Sequence, residues 1–154
     1  KSKNRILTFL QKNFITLIIN PLKFTIMKTA VLIIRVLIGV IFLITSIGFF
    51  LDLFPEPITN GDFKAFQAGL IASTYIIPIA KTLELLCGIA FVTGRYVTLA
   101  NIVILPVTIN ILFINFYMTP ESLPIALFIF LGNLFLIYSH WENYRSLFVA
   151  KTEI

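Results

Sequence analysis

Four stretches of this chain stay apolar for the length of a membrane span, each closed by charge or by turn residues. The first, residues 30–51, reads AVLIIRVLIGVIFLITSIGFFL with Arg35 as its one charge. The second, residues 74–93, carries Lys81 and Glu84 near its middle and Pro78 close to its start, where a first turn tolerates the missing N–H. The third (residues 96–120) and the fourth (residues 122–139) carry no Lys or Arg and no Asp or Glu except at their borders. A helix rising 1.5 Å per residue needs about 20 apolar residues to cross a hydrocarbon layer, so each stretch predicts one transmembrane helix.

Two further segments have a different pattern. Within residues 1–26, Ile6, Leu7, Leu10, Phe14, Leu17 and Ile18 recur at helical spacing against Arg5, Thr8, Lys12 and Thr16, which predicts a basic amphipathic helix lying on a membrane surface or against a partner. Asn20-Pro21 is expected to break it before the first span. Between the first two spans, Pro55 and Pro57 and the Asn60-Gly61 pair mark turns, and Phe63, Phe66 and Leu70 then predict a short amphipathic helix. The expected fold is therefore all-α: an integral membrane four-helix bundle (residues 27–148) with an N-terminal amphipathic interfacial helix (1–26) and a short C-terminal tail (149–154).

Composition agrees with a lipid solvent. Of 154 residues, 58% are hydrophobic and only 12% charged, with a mean hydropathy of +0.98; four spans, short loops and one terminal helix leave no room for a soluble catalytic domain. The single Cys87 excludes an internal disulfide and a CxxC pair. One His and one Cys cannot alone supply a conventional haem or zinc site, and His140 beside Trp141 and Tyr144 fits an interfacial aromatic belt. There is no phosphate-binding loop, nucleophile elbow or dinucleotide fingerprint.

Charge sets the expected orientation. Lys1, Lys3, Arg5, Lys12, Lys23 and Lys28 precede every acidic residue, and Gly94-Arg95 forms a tight turn on the same side, whereas Asp52, Glu56, Asp62 and Glu121 fall on the other. The basic side is expected to face the cytoplasm, with His140, Glu142, Arg145 and Lys151 returning to it, so both termini are cytoplasmic and the protein spans the bacterial inner membrane several times. Basic residues abutting a span point to anionic lipid rather than nucleic acid. The first span is too long for the apolar core of a cleaved leader, and Leu53-Phe54-Pro55-Glu56-Pro57 is no small-x-small site, so it is expected to be retained.

A charge at the bilayer centre costs roughly 2.5–3.5 kcal/mol on insertion scales, so Arg35, Lys81 and Glu84 need partners, water or burial. Counted from the span ends at the helical rise, Arg35 lies about 9 Å deep, Glu84 about 13 Å and Lys81 about 18 Å, which makes an Arg35–Glu84 pair the expected seam. Helical phase places Arg35, Gly39, Phe42 and Ser46 on one face of the first span, and Ile77, Lys81, Glu84 and Gly88 on one face of the second. Gly39, Ser46 and Gly88 are small enough to let those faces approach closely. The third span has two polar stripes, Asn101, Thr108 and Asn115 on one and Pro106, Asn110 and Tyr117 on the other, so it is expected to be central or bordered by another subunit. With Asn133 from the fourth span, the candidate polar pocket comprises Arg35, Lys81, Glu84, Asn101, Asn110 and Asn133. Such groups either glue helices together or hold a quinone headgroup, a lipid headgroup or a proton.

These motifs resemble the DoxX family of small bacterial membrane proteins: Arg35-x-x-x-Gly39-x-x-Phe42 followed by Gly48; Lys81-x-x-Glu84-x-x-x-Gly88 ending in Thr93-Gly94-Arg95; Pro106-x-x-x-Asn110; and Ser139-His140-Trp141-x-x-Tyr144-Arg145. The resemblance spans residues 28–148. It departs at Phe49 and Asn115, where members of the family often carry a lysine and a histidine. It implies a four-helix subunit associated with quinone-linked oxidoreductases, with quinone or bound lipid as the ligands to consider. The residues themselves suggest a non-catalytic accessory subunit with membrane protein partners, beside a quinone-binding subunit and a small solute or proton transporter.

Overall fold

The computed structural model describes the backbone of residues 2–53 and 61–145 and the side chains of residues 25–53 and 61–145. Its elements are α1 (Ser2–Phe50), α2 (Gly61–Ala72), α3 (Ile76–Thr93), α4 (Val97–Tyr117), a 3-10 turn (Pro120–Ser122), α5 (Leu123–Ser139) and α6 (Trp141–Tyr144). The chain divides into two units, residues 1–33 and residues 34–154.

In the first unit the expected break at Asn20-Pro21 is absent, because α1 continues through it. Pro21 forfeits one bond, the one its missing N–H would make to the Leu17 carbonyl. The neighbouring backbone groups keep their helical course, as α1 runs unbroken from Ser2 to Phe50. The amphipathic face proposed for residues 1–26 and the tail 149–154 lie outside the described side chains.

In the second unit α1, α3, α4 and α5 form an antiparallel ring of four. Among the described residues, four helices are long and apolar enough to cross a membrane, covering Thr25–Phe50, Ile76–Thr93, Val97–Tyr117 and Pro120–Ser139. The α3–α4 turn is tight because two of its residues are left-handed: Gly94 (φ 74°) returns its N–H to the Ala90 carbonyl, and Tyr96 (φ 57°) precedes α4. Between the first two spans, α2 falls where Phe63, Phe66 and Leu70 placed it.

The ring closes at points where side chains are small. A methyl group added at Gly39 would stand 2.9 Å from the Phe91 Cβ and 3.1 Å from the Gly88 carbonyl, and one at Gly88 would stand 3.1 Å from the Gly39 carbonyl. Backbone therefore meets backbone between α1 and α3, flanked by Phe42 stacked on Phe91 with ring centroids 6.4 Å apart. On the other side of α1, Ile34 and Ile38 fill the space above Gly132 of α5. The buried apolar core is Ile38, Phe42, Phe91, Ile104, Ile129 and Leu136 with smaller neighbours. Outside, Ile44, Leu86, Phe113 and Leu131 are each more than half exposed, one per span. An apolar exterior this continuous is soluble only in lipid.

Candidate functional site

Glu84 is the most buried carboxylate among the described residues, 3% exposed in the middle of α3. Its Oε2 accepts a hydrogen bond from Lys81 Nζ at 2.7 Å and another from Thr45 Oγ1 at 3.0 Å. The lysine lies one helical turn away on the same helix, so α3 carries its own counter-ion. The pair is unequal in access: 24% of the Lys81 side chain is reachable but only 4% of Glu84. Ser46, beside Thr45, is fully buried and its hydroxyl has no hydrogen-bond partner. Thr108 of α4 is also fully buried, its hydroxyl returned to the Leu105 carbonyl.

The expected Arg35–Glu84 seam is not formed, and the helix register explains why. On antiparallel α1 and α3, Thr45 is level with Glu84, and Gly39 with Gly88. Continuing that register puts Arg35 level with Gly94, about ten residues and roughly 15 Å of helical rise from Glu84. The guanidinium is indeed against the turn: a methyl group at Gly94 would stand 2.7 Å from Nη1 and 3.0 Å from Nη2 of Arg35. Arg35 makes no ion pair among the described residues, where the two salt bridges are Lys81–Glu84 and Glu142–Arg145. The error in depth arises because residues 25–50 are longer than the other spans, so counting from the end of that apolar run misplaces its charge.

Asn101 and Asn133 do meet, but in a separate cluster. Asn133 Nδ2 donates to Asn101 Oδ1 at 3.1 Å and to the Asn101 carbonyl at 3.3 Å, both residues being fully buried. Asn101 Nδ2 reaches the Tyr144 hydroxyl at 3.4 Å, and that hydroxyl donates to the Thr98 carbonyl at 2.9 Å. Burial pushes the Tyr144 phenol above its ordinary range, against a smaller lowering by the Asn101 hydrogen bond, which keeps it a neutral donor. The network ties α4 to α5 and to α6 beyond it.

Asn110 joins neither cluster. It is exposed on α4, with Nδ2 donating to the Pro106 carbonyl at 2.9 Å. The stripe Pro106, Asn110, Tyr117 thus faces outward, joined by Phe113 stacked on Tyr117. Gly39, Ser46 and Gly88 all line the inner faces, where helical phase placed them. Thr45 and Tyr144 were missed by the sequence reading. Thr45 adjoins the seam residue Ser46, and Tyr144 belongs to the closing motif after α5, where an interfacial belt was the simpler expectation.

The six candidate residues therefore fall into four places: a mid-span ion pair with Thr45, a neutral amide network, an arginine at the α3–α4 turn and an amide on the outer surface. Among known proteins, the DoxX family profile matches residues 30–116. No curated protein matches the chain, and no solved structure matches it.

Proposed function

The chain belongs to the DoxX family, and from that premise we propose that it is a non-catalytic accessory subunit of a larger complex in the bacterial inner membrane, with both termini in the cytoplasm. Asn110 carries this reading. It is exposed about 10 Å from the nearer end of α4, too deep for a short side chain to reach water. Its Nδ2 has one hydrogen bond, to its own helix, which leaves the amide oxygen of this exposed residue without one among the described residues. Lipid tails offer that oxygen nothing, whereas a polar residue of a neighbouring helix would satisfy it. Gentle extraction followed by mass spectrometry should recover a stoichiometric membrane partner, and Asn110→Leu should weaken its retention. A clean monomer from native lipid would sink the proposal.

The unequal access of Lys81 and Glu84 supports a second reading, a quinone headgroup bound at the ion pair. Lys81 Nζ would donate to a ring carbonyl arriving from the lipid side while Glu84, itself held by the Thr45 hydroxyl, keeps the ammonium in place. Gently extracted protein should then contain quinone, and Lys81→Met should deplete it. Extraction without quinone, together with unchanged turnover of a linked oxidoreductase in that variant, would remove this reading.

A further inference from the structure

Among the described residues Arg35 is a cation without an anion. Its Nε is buried and has no hydrogen-bond partner, and no described residue forms an ion pair with it. The two Nη groups are not buried, and a guanidinium can present them together as a bidentate donor to one oxyanion. The protein has prepared a place for this group: Gly94 has φ 74° and no side chain, and a Cβ there would collide with Nη1.

The position is interfacial. Gly94 caps the end of α3, so the guanidinium is level with the end of that span, the depth of lipid headgroups rather than of acyl tails. Arg95 follows and is exposed. No Asp or Glu occurs in the sequence between Glu84 and Glu121. On the same face Glu142 of α6 is already held by Arg145 at 3.0 Å, and His140 Nδ1 is within 2.9 Å of the Leu136 carbonyl.

We propose that Arg35, with the Gly94-Arg95 turn, binds the phosphate of an anionic glycerophospholipid in the leaflet on the turn side of the membrane. Arg35 supplies the paired donors, and Arg95 the second positive charge. The bound lipid bridges α1 to the α3–α4 hairpin at a level where the protein has no hydrogen bond of its own from Arg35. This proposal does not depend on the accessory or quinone readings, which rest on other residues.

The test is native mass spectrometry of the full chain in micelles doped with phosphatidylglycerol or with galactosyl diacylglycerol, a lipid without phosphate. Wild type should retain a single phosphatidylglycerol and not the galactolipid. Arg35→Gln should lower retention about tenfold, the loss of a charge-assisted bidentate contact. Arg35→Lys keeps the charge and, lacking the planar fork, should fall between the two; it serves in place of Arg35→Gln should that variant not fold. Millimolar inorganic phosphate should leave the bound lipid in place. Equal retention of both lipids by wild type would overturn the proposal, as would wild-type retention in both Arg35 variants, or displacement by inorganic phosphate, which would mark a site for the free oxyanion instead.

Discussion

The two buried polar clusters sit in the same bundle but are built on opposite terms. Asn101, Asn133 and Tyr144 form a neutral network between α4, α5 and α6, closed to the outside and hydrogen-bonded along its length except for Asn133 Oδ1. Thr45, Lys81 and Glu84 form a charged cluster between α1 and α3, with the lysine partly reachable and the Ser46 hydroxyl beside it unpaired. Neutral amides bridging helices contribute modestly and specify who packs on whom. A buried ion pair is a poor device for that purpose, because desolvating two charges offsets most of their attraction. The contrast separates a neutral tie between helices from a charged pair that is costly to bury.

Stability measurements would break or sharpen this contrast. The largest effect is expected for Lys81→Met, which leaves Glu84 without its counter-ion and should cost about 3–5 kcal/mol in reversible unfolding in mild detergent. Lys81→Met combined with Glu84→Met should recover to within about 1 kcal/mol of wild type, since an apolar pair of similar volume replaces the ions. A double variant as unstable as the single would mean that the ion pair, like the amide network, is there to hold the bundle.

Gly39→Val should come next, at roughly 1–3 kcal/mol, because backbone on both sides of the α1–α3 contact has nowhere to move. Gly132→Ala tests the softer side of α1: its new methyl would meet the Ile38 Cδ1 at 2.6 Å, the far end of a side chain that can rotate away. A smaller loss than at Gly39 is therefore expected. Asn133→Leu should cost roughly 0.5–2 kcal/mol, the range of interhelical polar contacts in membranes.

The smallest effect is expected for Tyr144→Phe, about 1 kcal/mol at neutral pH. The folded phenol titrates above its ordinary value of 10.0. Its stabilisation is thus complete below that value and lost as pH rises through the raised folded one. Wild-type unfolding should lose stability over that alkaline interval, and Tyr144→Phe should lose less. Identical pH profiles would show that the phenol is not held neutral by the network.

Much of the fold was legible because lipid imposes simple length and charge rules on a helix. Residues 30–51 were long enough and apolar enough to announce a span despite Arg35, and Gly39, Phe42 and Ser46 were on the buried face that helical phase gave them. Asn101 and Asn133 were rightly brought together. What could not be read was register. The level at which α1 meets α3 is decided by the Gly39–Gly88 contact and the tight turn at Gly94, not by where hydrophobicity begins. A vertical misplacement of about 11 Å, from an expected separation of about 4 Å to one of roughly 15 Å, was enough to give Glu84 the wrong cation, Arg35 instead of Lys81. Asn110 was misassigned for a different reason: with polar residues on two sides of one helix, periodicity does not say which side is inside.

The placement of Lys81 and Glu84 on one helix bears on how the protein enters the membrane. A span whose counter-ion came from another helix would meet the bilayer with a naked charge and would have to wait for its partner. Here α3 arrives with the two charges joined, so its passage out of the translocon does not require α1 to be in place. Thr45 and the glycine contact engage only when the helices meet laterally, which makes insertion and assembly separable steps for this chain.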